Sequence, residues 1–314
     1  MKTGWNFAAL TGAVAVGMIM LPALAPGDSD NQDKELKPNG KGTGTLLNPG
    51  NGNQDAGQAK AARPGGSSSN GIDYHGGPVI VGTVGVYFIW YGNWTGNSAT
   101  TILTDLANGI GGSPYFNINT TYYNGSNVHV SNSVSYRAST TDNYSRGLNL
   151  QDADIQAIVA SAISSGRLPS DTNAVYFVLT SLDVAETSGF CSQYCGWHTH
   201  GTLSGSDIKY AFIGNSDRCP SACSAQTTGP NGNAGADAMA SIIAHELEEA
   251  TSDPDLNAWY DRRGYENADK CAWTFGSTST ASNGAAFNMT FGGRNWLIQR
   301  NWVNANGGYC ALSY

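Results

Sequence analysis

Ala238-Met239-Ala240-Ser241-Ile242-Ile243-Ala244-His245-Glu246-Leu247-Glu248-Glu249-Ala250-Thr251-Ser252-Asp253-Pro254 is the stretch from which the rest of the chain is best read. Its apolar residues recur at helical spacing. Met239, Ile243, Leu247 and Ala250 fall on one face, the face such a helix buries. His245 and Glu249 are i and i+4, so they stand one above the other on a different face. Glu246 lies between the two faces and Glu248 points away from both, toward solvent. Pro254 ends the helix, because proline disfavours helical geometry in the residue before it.

The spacing is that of the H-E-x-x-H metallopeptidase helix with Glu249 in place of the second histidine. In that motif two residues at i and i+4 bind zinc, and the Glu after the first is the general base. A carboxylate oxygen can replace imidazole as a zinc ligand. The expected roles are therefore His245 and Glu249 as metal ligands and Glu246 as catalytic base. Downstream, Glu266-Asn267-Ala268-Asp269 is an E-x-x-D on an expected helical turn. Glu266 is the expected third ligand, and Asp269 the residue that orients His245 from behind, as metal-bound histidines require. The plain alternative is a structural helix whose acidic residues form a solvated face.

Upstream, Pro78 to Tyr91 is rich in β-branched and aromatic residues and reads as a long central strand. Ala99–Gly109 carries Ile102, Leu103 and Leu106 at helical spacing. Val128-His129-Val130 and Val134-Ser135-Tyr136 read as strand. Asp152–Ser164 reads as an amphipathic helix with Ile155, Ile158, Val159 and Ile163 inward. Ala174–Leu179 and Tyr210–Ile213 read as buried strands, and Phe287–Tyr314 as strand and turn. Alternating strands and helices indicate an α/β fold: a central mixed sheet with packed helices, a zincin-like motif helix and a disulfide-braced C-terminal half.

The chain has 314 residues, a net charge of −8 and only 13% charged residues, with no Lys/Arg run. Nucleic acid is thus not an expected partner. Residues 1–25 read as a secretory signal, with Lys2, an apolar run and a small-x-small end at Ala23-Leu24-Ala25. Pro26 directly after that end hinders cleavage there, and an uncleaved anchor is the alternative. No later stretch is long and apolar enough to cross a membrane. Residues 26–73 are rich in Gly, Pro and Asn and carry almost nothing bulky and apolar, so they read as a disordered linker or pro-segment. Residues 74–314 form the folded domain.

All six cysteines, Cys191, Cys195, Cys219, Cys223, Cys271 and Cys310, lie in the C-terminal part. An even count in an exported chain argues for disulfides. The two C-x-x-x-C spacings suggest the local pairs Cys191–Cys195 and Cys219–Cys223, leaving Cys271–Cys310. A zinc knuckle from Cys191, Cys195, His198 and His200 is disfavoured by the oxidising compartment. His198 and His200, one residue apart on a strand, face the same side and are candidate additions to the His245 site. His75 and His129 lack a companion pattern and read as structural. Sequons begin at Asn93, Asn119, Asn124, Asn143 and Asn288, expected at the surface of a glycoprotein.

From Tyr74 to Tyr314 the chain resembles the EXORDIUM, or phosphate-induced protein 1, family of secreted proteins. The resemblance rests on His75-Gly76-Gly77-Pro78, Trp90-Tyr91-Gly92, Ser113-Pro114-Tyr115-Phe116 and Gly189-Phe190-Cys191 through Cys195-Gly196 with His198. It continues through Gly214, Cys219-Pro220 and Cys223, then Ala244-His245-Glu246-Leu247 with Glu249, Pro254 and Ala258-Trp259-Tyr260. Glu266, Asp269, Cys271 and Gly308-Tyr309-Cys310 complete it. Glu248 departs from the family's usual small residue, on the side read as solvent-facing. The resemblance implies an extracellular, cell-wall-associated protein linked to growth and nutrient responses. It brings no established enzymatic activity and no catalytic residue. Two functions are therefore weighed: a zinc metallohydrolase acting on peptide, and a non-catalytic module binding cell-wall polysaccharide or protein. For the second, abundant aromatics suit sugar stacking.

Overall fold

Five strands form the central sheet: β1 (Val84–Tyr91), β2 (Val134–Asp142), β3 (Ala174–Thr180), β4 (Gly196–Leu203) and β5 (Ser206–Ile213), in the order β2-β1-β3-β5-β4. The computed structural model describes Met1, Pro38 and residues 71–314. The secretory signal and almost all of the linker expected from the sequence lie outside the described residues. The first four strands of the order run parallel, and β4 closes one edge antiparallel to β5. All eight residues of β1 and all seven of β3 are buried. Continuous apolar runs of this kind are what a parallel sheet covered on both faces demands.

Helix α1 (Ala99–Gly109) connects β1 to β2, and α2 (Asp152–Ser164) connects β2 to β3. Both lie where the sequence periodicity puts them. The first connection moves to one side of β1 and the second returns past it, so right-handed crossovers place the two helices on opposite faces. Helix α3 (Ala234–Ser252) packs against α1 and against β3, β5 and β4. Asn233 caps it, its side chain accepting a hydrogen bond from the Ala236 N–H at 3.1 Å. The Asp253 carboxylate closes the other end, accepting from the N–H groups of Asn257 and Ala258 at 2.6 Å each.

Several sequence expectations are corrected. The strand expected from Pro78 begins only at Val84, because Gly82 turns the chain at φ +82° and Ile80 instead bonds the carbonyl of Thr251 at the end of α3. Val128–Val130 is no strand, only a single bridge between Tyr123 and His129. Near Tyr74, Ile72 is buried in the core and Asp73 pairs with Tyr260. The helical turn expected at Glu266 is confined to Asp269–Cys271. Asn119 is fully buried, its amide bonded to the Glu248 carbonyl at 3.1 Å, so that sequon is not a surface position.

The disulfides differ most. Cys191 pairs with Cys219 and Cys195 with Cys223, while Cys271–Cys310 is as expected. Cys219 and Cys223 bracket the short helix Pro220–Cys223, where the fourth residue along returns to the same side. Both sulfurs therefore stand on the same side, 3.7 Å apart, and bond the turn that carries Cys191 and Cys195. The paired bridges anchor the chain immediately before β4. Among the described residues no helix is long and apolar enough to cross a membrane.

Candidate metal centre

Seventeen of the nineteen residues of α3 are buried, counted from Gly235 to Ser252 without Ala238. An amphipathic surface helix would keep its charged side in water. Here His245, Glu246, Glu248 and Glu249 are all inside. Groups of this kind are rarely fully buried unless they are paired or bind a cation.

Glu249 is the hub. Its Oε1 lies 3.1 Å from His245 Nε2 one helical turn back, and its Oε2 lies 3.7 Å from His198 Nε2. His198 projects from the edge strand β4 and has no solvent exposure. Two imidazoles, one from the helix and one from the sheet, thus face the two oxygens of one carboxylate. The Asp269 Oδ1 stands 3.6 Å from His245 Nε2 on the other side. The Asp269 N–H also donates to Glu249 Oε1 at 2.9 Å, which fixes the turn against the helix.

Glu266 and Asp269 meet different histidines. Glu266 lies against His198, its two oxygens 3.2 and 3.3 Å from Nε2. Asp269, three residues on, is the carboxylate that the turn carries to His245. Two triads bring ligand atoms within 4.8 Å of one another here: His245, Glu249 and Asp269, and His198, Glu246 and Glu249. Of the two candidate additions, only His198 joins. His200 belongs to a separate, half-exposed group, 2.9 Å from Asp207 and 3.5 Å from Asp255, where Lys209 already bonds Asp207 at 2.5 Å. The i, i+2 spacing on β4 gave both histidines one face, but the sheet edge buries only the first.

Electrostatics follow from this packing. Burial pushes the His198 imidazole down to about 4, outweighing the attraction of Glu249, so its Nε2 is available as a neutral ligand. Burial also acts to lower His245, but Glu249 and then Asp269 outweigh it, and its pKa stands well above the ordinary value. Burial raises Glu246 well above the carboxylate range, opposed by His245 and reinforced by Glu249. Glu266 is raised well above it by burial and then by Glu249. Buried polar atoms without a hydrogen-bond partner among the described residues gather in the same place: His198 Nδ1, Glu246 Oε2 and Asp269 Oδ1. A cation among these oxygens would let Glu246 and Glu266 ionise and would supply the missing partner.

A small cavity reaches the cluster, lined by Cys195, Gly196, Ile242, His245, Glu246, Trp273 and Gln299 and holding about 10 Å³. That is room for about one water molecule. Trp273 forms its wall at φ +58°, a left-handed backbone uncommon for a bulky residue.

Glu248 corrects the solvent-facing expectation. It is fully buried on the opposite side of α3, with Asn301 facing its carboxylate. The phenols of Tyr115 and Tyr122 are raised well above their ordinary values, by burial first and by Glu248 next. Of the residues read as structural, His75 stacks on Tyr260 at 3.7 Å between ring centres, and His129 bonds the Thr120 carbonyl at 2.7 Å.

Comparison with known proteins gives a consistent picture. Residues 72–311 match the model of the phosphate-induced protein 1 conserved region. The chain is 32% identical over 273 residues to Protein EXORDIUM-like 5 of Arabidopsis thaliana, covering 74% of this chain and 75% of that one. It is 31% identical over 271 residues to EXORDIUM-like 3 of the same plant, covering 74% and 80%. Protein PHOSPHATE-INDUCED 1 of Nicotiana tabacum is 26% identical over 220 residues, covering 60% and 67%. No solved structure matches the chain.

Proposed function

The chain belongs to the phosphate-induced protein 1 family, and on that premise we propose that it works outside the cell, in or on the cell wall, as a zinc hydrolase acting on peptide. Export is supported by the signal-like first 25 residues and by three disulfides with no free cysteine. A link to growth or nutrient response is supported by the family resemblance and by the name of the tobacco relative.

The observation that carries the metal reading is the spacing around Glu249. Ligand atoms around a tetrahedral zinc with bonds of about 2.0–2.2 Å stand roughly 3.3–3.6 Å apart. His245 Nε2 stands 3.1 Å from Glu249 Oε1 and 3.6 Å from Asp269 Oδ1. We assign His245, Glu249 and Asp269 to the ion, their ligand atoms lying within 4.8 Å of one another, with His198 against the second oxygen of Glu249 and Glu266 against His198. The water-sized cavity against His245 and Glu246 suits the remaining position. A zinc held there would acidify a water in that position, and Glu246, with Oε2 uncommitted among the described residues, would take its proton. The near-complete burial of the cluster favours one second reading, a closed structural zinc clasp without an open position.

A peptide-library cleavage assay on the full chain separates them. The hydrolase reading expects cleavage that stops with a chelator and in Glu246→Gln, while Glu246→Gln still holds zinc. Zinc at full occupancy with no cleavage of any peptide would leave only the clasp.

A further inference from the structure

Strands β2, β1 and β3 end side by side at Asp142, Tyr91 and Thr180. The chain leaves β1 for β2 on one side and comes back to β3 on the other. The sheet order therefore reverses at these carboxyl ends, where open α/β sheets commonly hold ligands. A cleft of about 540 Å³ opens beside them. It is lined by Trp90 and Trp94, only 5% and 7% exposed, by the half-buried Tyr144 and by the exposed Asn93, Asn143 and Thr141. The cleft shares no residue with the metal cluster.

The lining carries no charged side chain. The nearest acids are already committed: Asp142 accepts from the Ser145 N–H and hydroxyl at 2.8 Å each, and Asp183 from the Tyr144 hydroxyl at 2.8 Å. Neutral hydrogen-bonding groups are available instead. The Asn93 Nδ2, the Asn143 amide and the Thr95 and Thr141 hydroxyls have no partner among the described residues, and all four side chains are exposed. Free amides and hydroxyls around a largely buried aromatic floor, with the half-buried Tyr144 beside it and no charge, match an uncharged polyhydroxylated chain. They suit neither an acidic nor a phosphorylated one.

The walls are fixed in advance. Trp94 donates from Nε1 to the Tyr91 carbonyl at 3.1 Å and meets Trp90 edge-on at 5.2 Å. Gly92 bonds the Asp142 carbonyl at 2.9 Å, and Asn93 N–H donates to Ser181 Oγ at 3.1 Å. Gly92 sits at φ +93°, and a Cβ there would run into that serine, so the turn shaping the cleft needs glycine. Tyr91 clamps the second loop, accepting from the Arg146 N–H and donating to the Gly147 carbonyl. Ordering of this kind lowers the entropy lost on binding.

We propose that this cleft binds a short segment of uncharged polysaccharide. The site is independent of the metal centre. Asn93 and Asn143 each head a sequon, so sugar attached there would sit on the rim and compete.

The test titrates the full chain, made without N-glycosylation, with cellotetraose, mannotetraose and a xyloglucan heptasaccharide, followed by indole fluorescence and calorimetry. A polygalacturonate fragment is the charged comparison. At least one neutral probe is expected to bind saturably, at least tenfold more tightly than to Asn143→Ala or Thr141→Lys. Both positions are exposed, so these variants keep the fold, whereas Trp94→Ala would open a cavity in the core. Failure of all three neutral probes overturns the proposal. So does binding that the two rim variants leave unchanged, or a preference for polygalacturonate.

Discussion

His198 Nε2 on the edge strand β4 lies 3.7 Å from Glu249 Oε2 on α3, and 3.2 Å from Glu266 Oε1 on the loop that follows. One imidazole thus joins sheet, helix and loop at a point without solvent. Removing it disturbs all three. His198→Ala should sharply weaken bound zinc and leave Glu266 facing Glu249 Oε2 without the imidazole between them. Glu266→Gln, which keeps the hydrogen bond but not the charge, should weaken zinc binding only by about 10–100-fold. Competition with a chelator measures both.

Glu248 is a buried acid on the far side of α3 from that point. Burial raises its pKa well above the ordinary 4.5. Between the two values the folded chain holds a proton that the unfolded chain releases, so stability falls as pH rises through that range. Glu248→Gln removes the ionisation while keeping the shape. Its melting temperature should exceed the parent's at pH 9, and the difference should shrink toward pH 4.5, as followed by calorimetry.

Asp253 gives a second, milder pH response. Burial, only partly offset by the two N–H groups it accepts, moves its pKa from 3.8 to about 7. The shift has the same sign, so its destabilising effect is absent near pH 4 and complete above pH 7. About three pKa units correspond to at most about 4 kcal/mol. Asp253→Asn keeps an acceptor for Asn257 and Ala258, and its unfolding free energy should vary less than the parent's between pH 4 and 8. Equal slopes for the two proteins would contradict the assignment.

Gly196 opens β4 where that strand touches α3. A Cβ there would stand 2.6 Å from Ile242 Cγ2, 2.9 Å from the Phe212 carbonyl oxygen and 3.3 Å from Glu246 Oε1. Overpacking of this kind costs about 1–3 kcal/mol. Gly196→Ala should lower Tm by roughly 2–10 °C and loosen zinc, because strand and helix are forced apart at the site.

Peptide mapping without reduction should recover Cys191 linked to Cys219 and Cys195 to Cys223, not the two sequence-local pairs. Replacing Cys271 and Cys310 together by serine opens a loop with a sequence separation of 39. In the loop-entropy picture that costs about 3–4 kcal/mol, readable in denaturant unfolding.

Local pattern made much of this legible. The apolar periods of Ala99–Gly109 and Asp152–Ser164 and the β-branched run at Ala174 placed helices and strands, because those residues answer to neighbours three or four positions away. The i, i+4 pairing of His245 and Glu249 was visible for the same reason. What sequence could not order were contacts across the chain. His198 and His200 look alike on β4, and only the packing of α3 over the sheet decides which is buried. Glu248 read as solvent-facing because the helix was pictured with one covered side, whereas the segments holding Tyr115, Tyr122 and Asn301 cover the other. The cysteine spacing pointed to local pairs because it says nothing of which turn meets which.

The most direct test of the metal centre is the zinc content of the purified full chain by elemental analysis, beside His245→Ala and Glu249→Gln. About one zinc per chain is expected in the parent and almost none in either variant. A folded parent without metal, taking up no zinc when it is offered, would contradict the account.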